Sequence, residues 1–318
     1  MTLRPIVSIG VPVYNGARFL RRTLESLVAQ TYTDLEIVIC DNASTDDTAR
    51  IAREFARSDD RVRYHRNETN IGAIPNFLRA LELSSGKYFT WTAADDVRPV
   101  DAIERCVQAL EAEPKAVMAH GPIELELPAE QSAGRVENHA DLSGGRPSLR
   151  VRAFTRDIEH VALMFGVHRR AVLQTVEYGN HMAGDYFVCL QMCHRGRIAW
   201  IPQPILIYRH QYGALDNPMY ARVPITLRDL VLHRGLRRRK CWMVLGIGCY
   251  YLWRRGARDG MRERLNSIAA FVTAFVTRFR AQLATELVYL AFSPVSWMAM
   301  PFVPLGRKLK ALAGAAVS

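Results

Sequence analysis

Residues 7–16 read VSIGVPVYNG, and residues 35–48 read LEIVICDNASTDDT. Each stretch begins with an apolar run and ends in polar residues, which is typical of a buried strand followed by a loop. Between them, residues 17–30 carry apolar side chains at the spacing of an amphipathic helix. A strand, a helix and a second buried strand in this order predict a right-handed crossover and a parallel sheet.

The alternation of strands and helices continues to about residue 120. We expect further strands at residues 62–65, 87–92 and 116–120, and helices from Ser44 through Phe55 and over residues 74–83 and 100–110. The Pro- and Gly-punctuated residues 121–150 predict a long loop, and residues 198–208 predict an edge or irregular strand. The fold class that follows is α/β, with a mostly parallel sheet and helices on both faces.

Candidate ligand-binding residues follow three of the predicted strands. They are Pro12, Tyr14 and Asn15 after the first, Asp41 and Asn42 after the second, and Asp95 and Asp96 after the fourth. In sheets of this class, ligands bind at the carboxyl ends of the strands. Adjacent carboxylates favour a divalent cation with oxygen ligands. No glycine-rich phosphate loop follows the first strand, so a nucleotide would need a metal and side chains for its phosphates.

Other candidate residues have both a functional and a structural interpretation. Asp185 follows a glycine and suits general base catalysis, although an Asp at this position also caps a helix. His210 follows an extended segment and could ligate a metal. Cys189 and Cys193 lack the further ligands of a zinc site, so we interpret them as core or surface thiols. Trp91 is interpreted as a core aromatic residue.

The charge distribution divides the chain into two parts. The 318 residues are 49% apolar and 23% charged, which is typical of a globular protein. Residues 1–221 hold 25 Lys and Arg against 27 Asp and Glu, whereas residues 222–318 hold 17 against 4. We therefore expect a catalytic domain over residues 1–221 and a basic, helical C-terminal region over residues 222–318.

The C-terminal region combines basic clusters with two uncharged runs, Cys241–Trp253 and Leu287–Leu305. The first is too short to span a bilayer and prolines interrupt the second, so an anchor in or on an anionic leaflet is favoured. Basic residues interleaved with apolar ones favour a membrane over nucleic acid. The alternative is a helical region that docks on the rest of the chain or on a second copy.

The expected compartment follows from the cysteines and the N-terminus. Six unevenly spaced cysteines and no secretory signal pattern indicate reduced thiols in the cytosol. Together with the basic C-terminal region, this predicts a cytoplasmic protein bound peripherally at the inner face of the cell membrane. A homo-oligomer is compatible with the sequence.

Five motifs occur in an order that resembles the family 2 glycosyltransferases. They are VSIGVPVYNG at 7–16, VICDNASTDDT at 38–48, NIG at 70–72, GKYFTWTAADDVRP at 86–99 and GD at 184–185. The resemblance implies the A-type glycosyltransferase fold, a Rossmann-like α/β domain with an acceptor-binding half. It also implies an inverting reaction, a nucleoside-diphosphate sugar donor, and Mg²⁺ or Mn²⁺ as cofactor.

The resemblance also assigns roles by position. Donor-binding residues would be Pro12, Tyr14, Asn15, Asp41, Asn70, Gly72, Asp95 and Asp96, with Asp41 contacting the base and Asp96 the donor sugar. Asp95 and His210 would ligate the metal, and Asp185 would deprotonate the acceptor hydroxyl. Two departures stand out: Ala93 replaces the first acid of the family's DxD pattern, and no QxxRW motif follows Asp185. The second departure favours the addition of one or a few sugars over polymerisation.

The functional hypothesis is an inverting, membrane-associated glycosyltransferase whose acceptor is a glycan or a glycolipid. An alternative is a non-catalytic subunit that binds a nucleotide sugar and recruits a partner enzyme at the membrane, which the substitution at Ala93 keeps open. A nucleotidyltransferase is disfavoured because PVYNGARFL is not a glycine-rich, basic loop.

Overall fold

The computed structural model describes residues 6–126, 134–136, 140–157, 161–178, 184–209, 240–254 and 260–292. The strands in these residues are β1 (Val7–Val13), β2 (Leu35–Asp41), β3 (Val62–Arg66), β4 (Tyr88–Trp91), β5 (Ala116–His120), β6 (Ile123–Glu126), β7 (Gly134–Val136), β8 (Val167–Arg169), β9 (Arg197–Trp200) and β10 (Leu206–Arg209).

The helices alternate with the strands over the first part of the chain and dominate its last part. They are α1 (Ala17–Val28), α2 (Thr48–Ser58), α3 (Ala73–Glu82), α4 (Ala102–Ala112), α5 (Pro147–Asp157), α6 (Arg170–Leu173), α7 (Gly184–Arg195), α8 (Lys240–Arg254) and α9 (Gly260–Phe292), with a 3₁₀ helix at Val161–Phe165.

In the described residues, the larger sheet has seven strands in the order β3-β2-β1-β4-β8-β5-β9. All pairs are parallel except those of β8, which is antiparallel to both β4 and β5. The predicted mostly parallel α/β sheet is therefore confirmed. Because β8 reverses the direction twice, β5 and β9 run parallel to β1, and their carboxyl ends lie at the same edge of the sheet.

The sheet separates two apolar cores, as the alternation of side chains along each strand requires. Helices α1, α2 and α4 cover one face, where Ile9 and Ile37 are buried. Helices α3, α5, α7, α8 and α9 cover the other, where Phe89 and Trp91 are buried. Trp91 is a core residue, as predicted, and its indole nitrogen donates to the Phe77 carbonyl at 2.9 Å. Helices thus cover both faces of the sheet.

Two expectations about local structure were wrong, and a third was correct only in part. Residues 121–150 contain β6, β7 and the start of α5, and in the described residues a smaller sheet has the order β10-β6-β7. Residues 198–208 belong to two strands and not to one, because β9 pairs with β5 and β10 pairs with β6. Among the described residues each is the edge strand of its sheet, which agrees with the expected edge position. Helix α2 begins at Thr48 after Asp47, and the Ser44 side chain instead accepts a hydrogen bond from the Asn15 amide at 2.9 Å.

The C-terminal helices pack on the same core as α5 and α7. The side chains of Phe271 and Phe275 on α9 are fully buried there. A Cβ built on Gly248 of α8 would lie 2.2 Å from the Phe271 ring, so the two helices are in close contact. The uncharged run Cys241–Trp253 therefore belongs to a docked helix, which is the alternative interpretation of that run. Among the described helices, none combines the length and the apolarity needed to cross a membrane.

The domain boundary expected at residue 221 lies outside the described residues, as does the part of the second uncharged run beyond Phe292.

Candidate functional site

The loop after β1 is fixed by side chains of the loop after β2. Asn15 has a positive φ of 50°. Its carboxamide oxygen accepts a hydrogen bond from the Thr45 amide at 2.8 Å. The amide of Gly16, at the start of α1, donates to the Thr48 hydroxyl at 2.9 Å. Tyr14 directly precedes these anchored residues and is 51% exposed, whereas Pro12 is buried within β1. The site therefore presents an exposed aromatic ring on a fixed backbone.

Asp41 ends β2 directly beside Val13, its register partner in β1. Its carboxylate is buried and accepts hydrogen bonds from the Ser44 amide at 2.8 Å, the Tyr64 hydroxyl at 2.7 Å and Arg66 at 3.2 Å. Burial and the hydrogen bond to Asp41 raise the pKa of Tyr64, so this hydroxyl remains a donor at neutral pH. The orientation of the carboxylate is thus fixed without a ligand.

A cluster of asparagines connects the loop after β2 to the loop before α3. The Asn42 amide group donates to the Asn70 side chain at 2.8 Å and to the Gly72 carbonyl at 3.2 Å. Its oxygen accepts from Asn67 at 3.0 Å. Asn67 also donates to the side-chain oxygen of Asn76 at 3.0 Å. The amide group of Asn76 in turn donates to the Cys40 carbonyl at 2.8 Å. The structure therefore brings Asn70 and Gly72 to the same edge as Asp41.

Sequence reasoning missed the roles of Asn67 and Asn76. The repeated asparagines between residues 67 and 76 were the available signal, because Asn side chains typically bond the backbone of neighbouring loops.

The acidic loop follows β4, which pairs with β1. Asp95 is partly exposed, whereas Asp96 is fully buried. One Asp96 oxygen accepts from the Arg209 amide at 3.1 Å, and the other is buried with no hydrogen-bond partner among the described residues. Burial and the adjacent Asp95 carboxylate raise the pKa of Asp96 well above its ordinary value. The adjacent Asp95 carboxylate therefore adds to the effect of burial in disfavouring the charged form of Asp96, while Arg98 opposes it.

Arg98 is a residue of the site that sequence reasoning missed. Its guanidinium is buried below the acidic loop and bonds the Thr92 hydroxyl at 2.7 Å and the Thr90 hydroxyl at 2.7 Å. It also donates to the carbonyls of Phe165 at 2.9 Å and Ile205 at 3.2 Å. Burial lowers the pKa of Arg98 to about 10, which still leaves it charged at neutral pH. Arg98 thereby joins the end of β4 to segments far along the chain.

Asp185 lies in the first turn of α7 and is partly buried. One carboxylate oxygen accepts from the Tyr186 amide at 2.8 Å. Burial raises the pKa of Asp185 above its ordinary value, and this amide offsets part of the shift. A carboxylate with a raised pKa is a stronger base than one in water, which suits the removal of a proton from a hydroxyl.

The orientation of α7 places Asp185 at the carboxyl edge of the sheet. Gly196 follows the C-terminus of α7, and a Cβ built on it would lie 2.2 Å from the Val117 side chain near the start of β5. The C-terminus of α7 is therefore at the amino edge. Because α7 packs against β5, its N-terminus points to the opposite edge, where Asp41 and Asp95 also lie.

This arrangement of loops agrees with the comparison to protein families. The model described as "Glycosyl transferase family 2" matches residues 8–173, more than half of the chain. The chain belongs to glycosyl transferase family 2. The matched residues include β1, β2, β4 and the acidic loop, and they end before α7 and Asp185.

Curated glycosyltransferases are similar to about a third of the chain. The chondroitin synthase of Escherichia coli is 41% identical over 104 residues, which are 32% of this chain and 15% of that protein. The chain spans between 15% and 40% of the length of the curated relatives it matches.

Solved structures extend the likeness of fold over nearly the whole chain. A fragment of TarS from S. aureus, residues 1–349, in complex with UDP-GlcNAc superposes with a TM-score of 0.62 at 14% identity, covering 86% of this chain and 73% of that one. The mannosyltransferase PcManGT from Pyrobaculum calidifontis, in complex with GDP-Man and Mn²⁺, gives 0.56 at 18% identity, covering 100% and 82%. The A-type glycosyltransferase fold expected from the sequence is confirmed.

The acidic loop is compatible with the divalent cation that family 2 commonly uses. Its donors are carboxylate oxygens, which Mg²⁺ and Mn²⁺ prefer. The buried oxygen of Asp96, which has no partner in the described part of the chain, and the repulsion from Asp95 are both features that a cation would relieve. His210 lies outside the described residues, although Arg209 before it bonds Asp96. Within the described residues, no three His, Cys, Asp or Glu side chains form a metal site.

Proposed function

We propose that the protein transfers a sugar from a nucleoside-diphosphate sugar to a hydroxyl of a glycan or a lipid-linked acceptor, with inversion at the anomeric carbon. The observation that carries this proposal is the gathering of the loops after β1, β2 and β4 and the N-terminus of α7 at one edge of the sheet. The nucleotide sugars bound by the TarS fragment and by PcManGT support a donor of the same class.

The donor would bind across the loops of β1 and β2. The exposed Tyr14 ring offers a face on which a base can stack. Asp41 is an acceptor whose orientation is fixed by Ser44 and Tyr64, so it can recognise a base N–H. The asparagine cluster fixes the backbone near Asn70 and Gly72, which limits the conformational entropy lost when the nucleoside binds.

Asp95 and His210 would hold Mg²⁺ or Mn²⁺, which would offset the charge of the departing diphosphate. Asp96 is the buried support of this loop, and its bond to the Arg209 amide brings the segment before His210 to the acidic residues. Ala93 contributes no carboxylate here, so the donor is bound with one acidic contact fewer than the family pattern provides.

Asp185 would act as the base. It would accept the proton of the acceptor hydroxyl while that oxygen attacks the anomeric carbon from the side opposite the diphosphate. The new bond forms as the bond to the diphosphate oxygen breaks, so a single displacement inverts the configuration. The raised pKa of Asp185 makes it a better proton acceptor than an ordinary carboxylate.

A donor screen tests this function. The full chain with Mg²⁺ or Mn²⁺ is incubated with UDP-, GDP- and dTDP-sugars, with and without glycan acceptors, and the released nucleoside diphosphate is measured. We expect release from one donor and its loss in Asp95→Ala. Nucleotide binding without release or transfer from any donor would favour the non-catalytic subunit instead.

The role of Asp185 is tested by Asp185→Asn. We expect turnover to fall about 10²–10⁴-fold, because general base catalysis contributes on this order, while the affinity for the nucleotide is retained. Glu82→Gln is the matched control, since Glu82 is an exposed carboxylate paired with Arg79 on α3. Near-normal turnover in Asp185→Asn would remove Asp185 from the base role.

We also propose that the protein binds peripherally at the inner face of the cell membrane. The net positive charge of residues 222–318 supports this proposal. Exposed apolar side chains on α9 support it as well: Met261, Leu265 and Val276 lie within about 60° of each other around the helix, and the exposed Arg262 follows the first of them. Such a face suits an anionic leaflet.

The membrane proposal is tested with the full chain, because deleting residues 222–318 would remove Phe271 and Phe275 from the core. Flotation with phosphatidylglycerol-containing vesicles is compared for the wild type and for Met261→Ser combined with Leu265→Ser. We expect weaker binding by the double variant and unchanged binding by Val100→Ser, an exposed apolar residue elsewhere. Equal binding by all three would contradict this surface.

A further inference from the structure

Trp200 is an exposed aromatic residue at the carboxyl end of β9. Its side chain is 44% exposed. The indole stacks on the imidazole of His120 at the end of β5, with ring centroids 5.9 Å apart and planes inclined by 29°. His120 itself is buried. One face of the indole is therefore supported from below by a ring of the core, while a large part of the side chain remains accessible to solvent.

The backbone around Trp200 is fixed. The Ile201 amide donates to the His120 carbonyl at 2.8 Å, which extends the pairing of β9 with β5 past Trp200. A Cβ built on Gly121 would lie 2.5 Å from the Gln203 carbonyl oxygen, so the two connections after β5 and β9 are in tight contact. An aromatic side chain on such a segment loses little conformational entropy when a ligand stacks on it.

Trp200 and Asp185 lie at the same edge and on the same face of the sheet. Helix α7 runs from the carboxyl edge to the amino edge, and β9 returns to the carboxyl edge after Gly196. Ile198, two residues before Trp200 in β9, is buried in the same core as the apolar side chains of α7. Because side chains two apart in a strand share a face, Trp200 projects on the side that α7 covers.

The strand order separates Trp200 from the nucleoside loops. Four strand-to-strand steps lead from β1 to β9. At about 4.8 Å per step, this is roughly 19 Å. A base stacked on Tyr14 is therefore remote from Trp200. The N-terminus of α7, where an acceptor hydroxyl would meet Asp185, is at this edge and on the same face as Trp200.

We propose that the Trp200 indole, supported by His120, is the platform on which a pyranose ring of the acceptor stacks. Sugar rings present a face of C–H groups, and these carry a partial positive charge that matches the negative face of an aromatic ring. The edge of the same ring keeps its hydroxyls for polar contacts, so one hydroxyl can face Asp185. The assignment of the ring to the acceptor rests on the proposed transferase function, whereas glycoside binding at Trp200 does not.

The test measures glycoside binding directly on the full chain. Methyl glycosides of glucose, galactose, mannose, N-acetylglucosamine and N-acetylgalactosamine are titrated by saturation-transfer NMR against the wild type, Trp200→Ala and Trp200→Phe. Trp253→Ala is the matched control, because Trp253 is 51% exposed on α8. UDP and GDP binding is measured on every variant to detect a general loss of structure.

We expect at least one glycoside to bind the wild type and Trp253→Ala equally. Binding should weaken at least fivefold in Trp200→Ala and be largely retained in Trp200→Phe, with nucleotide binding unchanged in all. Equal glycoside binding in Trp200→Ala, a parallel loss of nucleotide binding, or no binding of any glycoside to the wild type would overturn the platform.

The two proposals fail separately. The protein could bind a glycoside through Trp200 and yet neither hydrolyse a donor nor transfer a sugar. That result would contradict the transferase function, whereas the glycoside-binding site at Trp200 would stand. Transfer by the wild type with an acceptor affinity that Trp200→Ala does not change would contradict the platform alone.

Discussion

The two ends of the large sheet are stabilised by different interactions. At the end formed by β3, β2, β1 and β4, which we call the donor half, side chains hydrogen-bond from one loop to the next. Asn42 and Asp41 are the centres of this pattern. At the end formed by β8, β5 and β9, which we call the acceptor half, aromatic side chains of α5, α7 and α9 pack together. Phe154 and Tyr186, with ring centroids 4.9 Å apart, are typical of this packing.

The two halves therefore hold their candidate binding groups in place by different means. Loops of the donor half are fixed by polar groups that must be satisfied anyway, so their backbone is arranged for a polar ligand before it arrives. Candidate groups of the acceptor half, Asp185 and Trp200, are held at the ends of a helix and a strand by the core beneath them. A change in the core should therefore disturb the acceptor half first.

Phe275→Ala is the strongest test of this comparison. Phe275 is fully buried on α9, with ring centroids 5.7 Å from Phe271 and 4.7 Å from Phe279. Removing such a ring leaves a cavity and typically lowers the free energy of unfolding by about 3–5 kcal/mol. Urea unfolding measures the loss, with Val276→Ala as the control because Val276 is 39% exposed. A loss below about 1 kcal/mol would mean that α9 is not part of the common core.

Arg98→Met tests the connection between the two halves. It removes a buried guanidinium that donates to the Trp91, Phe165 and Ile205 carbonyls and to the Thr92 hydroxyl. The Thr90 hydroxyl can still donate to one of the first two carbonyls, so the other groups lose a donor. Each buried unsatisfied group costs about 1–3 kcal/mol, so we expect a loss of roughly 3 kcal/mol.

Arg79→Met is the matched control for Arg98→Met. Arg79 forms an exposed pair with Glu82, and its replacement should change stability by about 0.5 kcal/mol or less. If urea unfolding gave the same loss of stability for both substitutions, the hydrogen bonds of Arg98 would contribute no more to stability than an exposed ion pair.

The donor half could be predicted from sequence because its residues sit at the ends of strands with clear periodicity. The pattern that predicts β1, β2 and β4 also places Asp41 and Asp95 at one edge. Arg98 could not be found this way. Its bonds to Phe165 and Ile205 join residues 67 and 107 positions apart, and no local pattern records them.

The acceptor half was less predictable for related reasons. Strand β8 is only three residues long, too short for a period to be recognised. The composition of the uncharged run Cys241–Trp253 fits both a membrane anchor and a helix that docks on a core, because both require an apolar face. Only the packing of α8 and α9 on α5 and α7 separates these two interpretations.

Acid should weaken the acceptor half more strongly than the donor half, where burial lowers the pKa of one histidine, His65. Burial lowers the pKa of His168 to about 4 and that of His194 to about 4. His168 packs beside Trp91, and His194 bonds Ser267 of α9 at 3.1 Å. In the donor half, hydrogen bonds from Ser8, Ser85 and Arg63 lower the pKa of Glu36 despite its burial. Glu36 therefore loses its contribution to the free energy of unfolding only as the pH falls below the ordinary pKa of a Glu side chain.

His168→Gln isolates one of these histidines. Between pH 6.5 and 4 the unfolded chain binds a proton at His168 and the folded chain does not, so stability is full above pH 6.5 and falls as the pH drops through this window. A pKa shift of this size lowers the free energy of unfolding by about 2 kcal/mol at pH 5 relative to pH 8. We expect the difference in free energy of unfolding between pH 8 and pH 5 to be smaller in His168→Gln by this amount. Asp96 and Asp185 have raised pKa values and therefore change stability with pH in the opposite direction to His168. Both proteins contain these two residues, so their contributions cancel when the pH dependence of the variant is subtracted from that of the wild type. If urea unfolding gave the same pH dependence for both proteins, the buried neutral imidazole would not be a source of acid sensitivity.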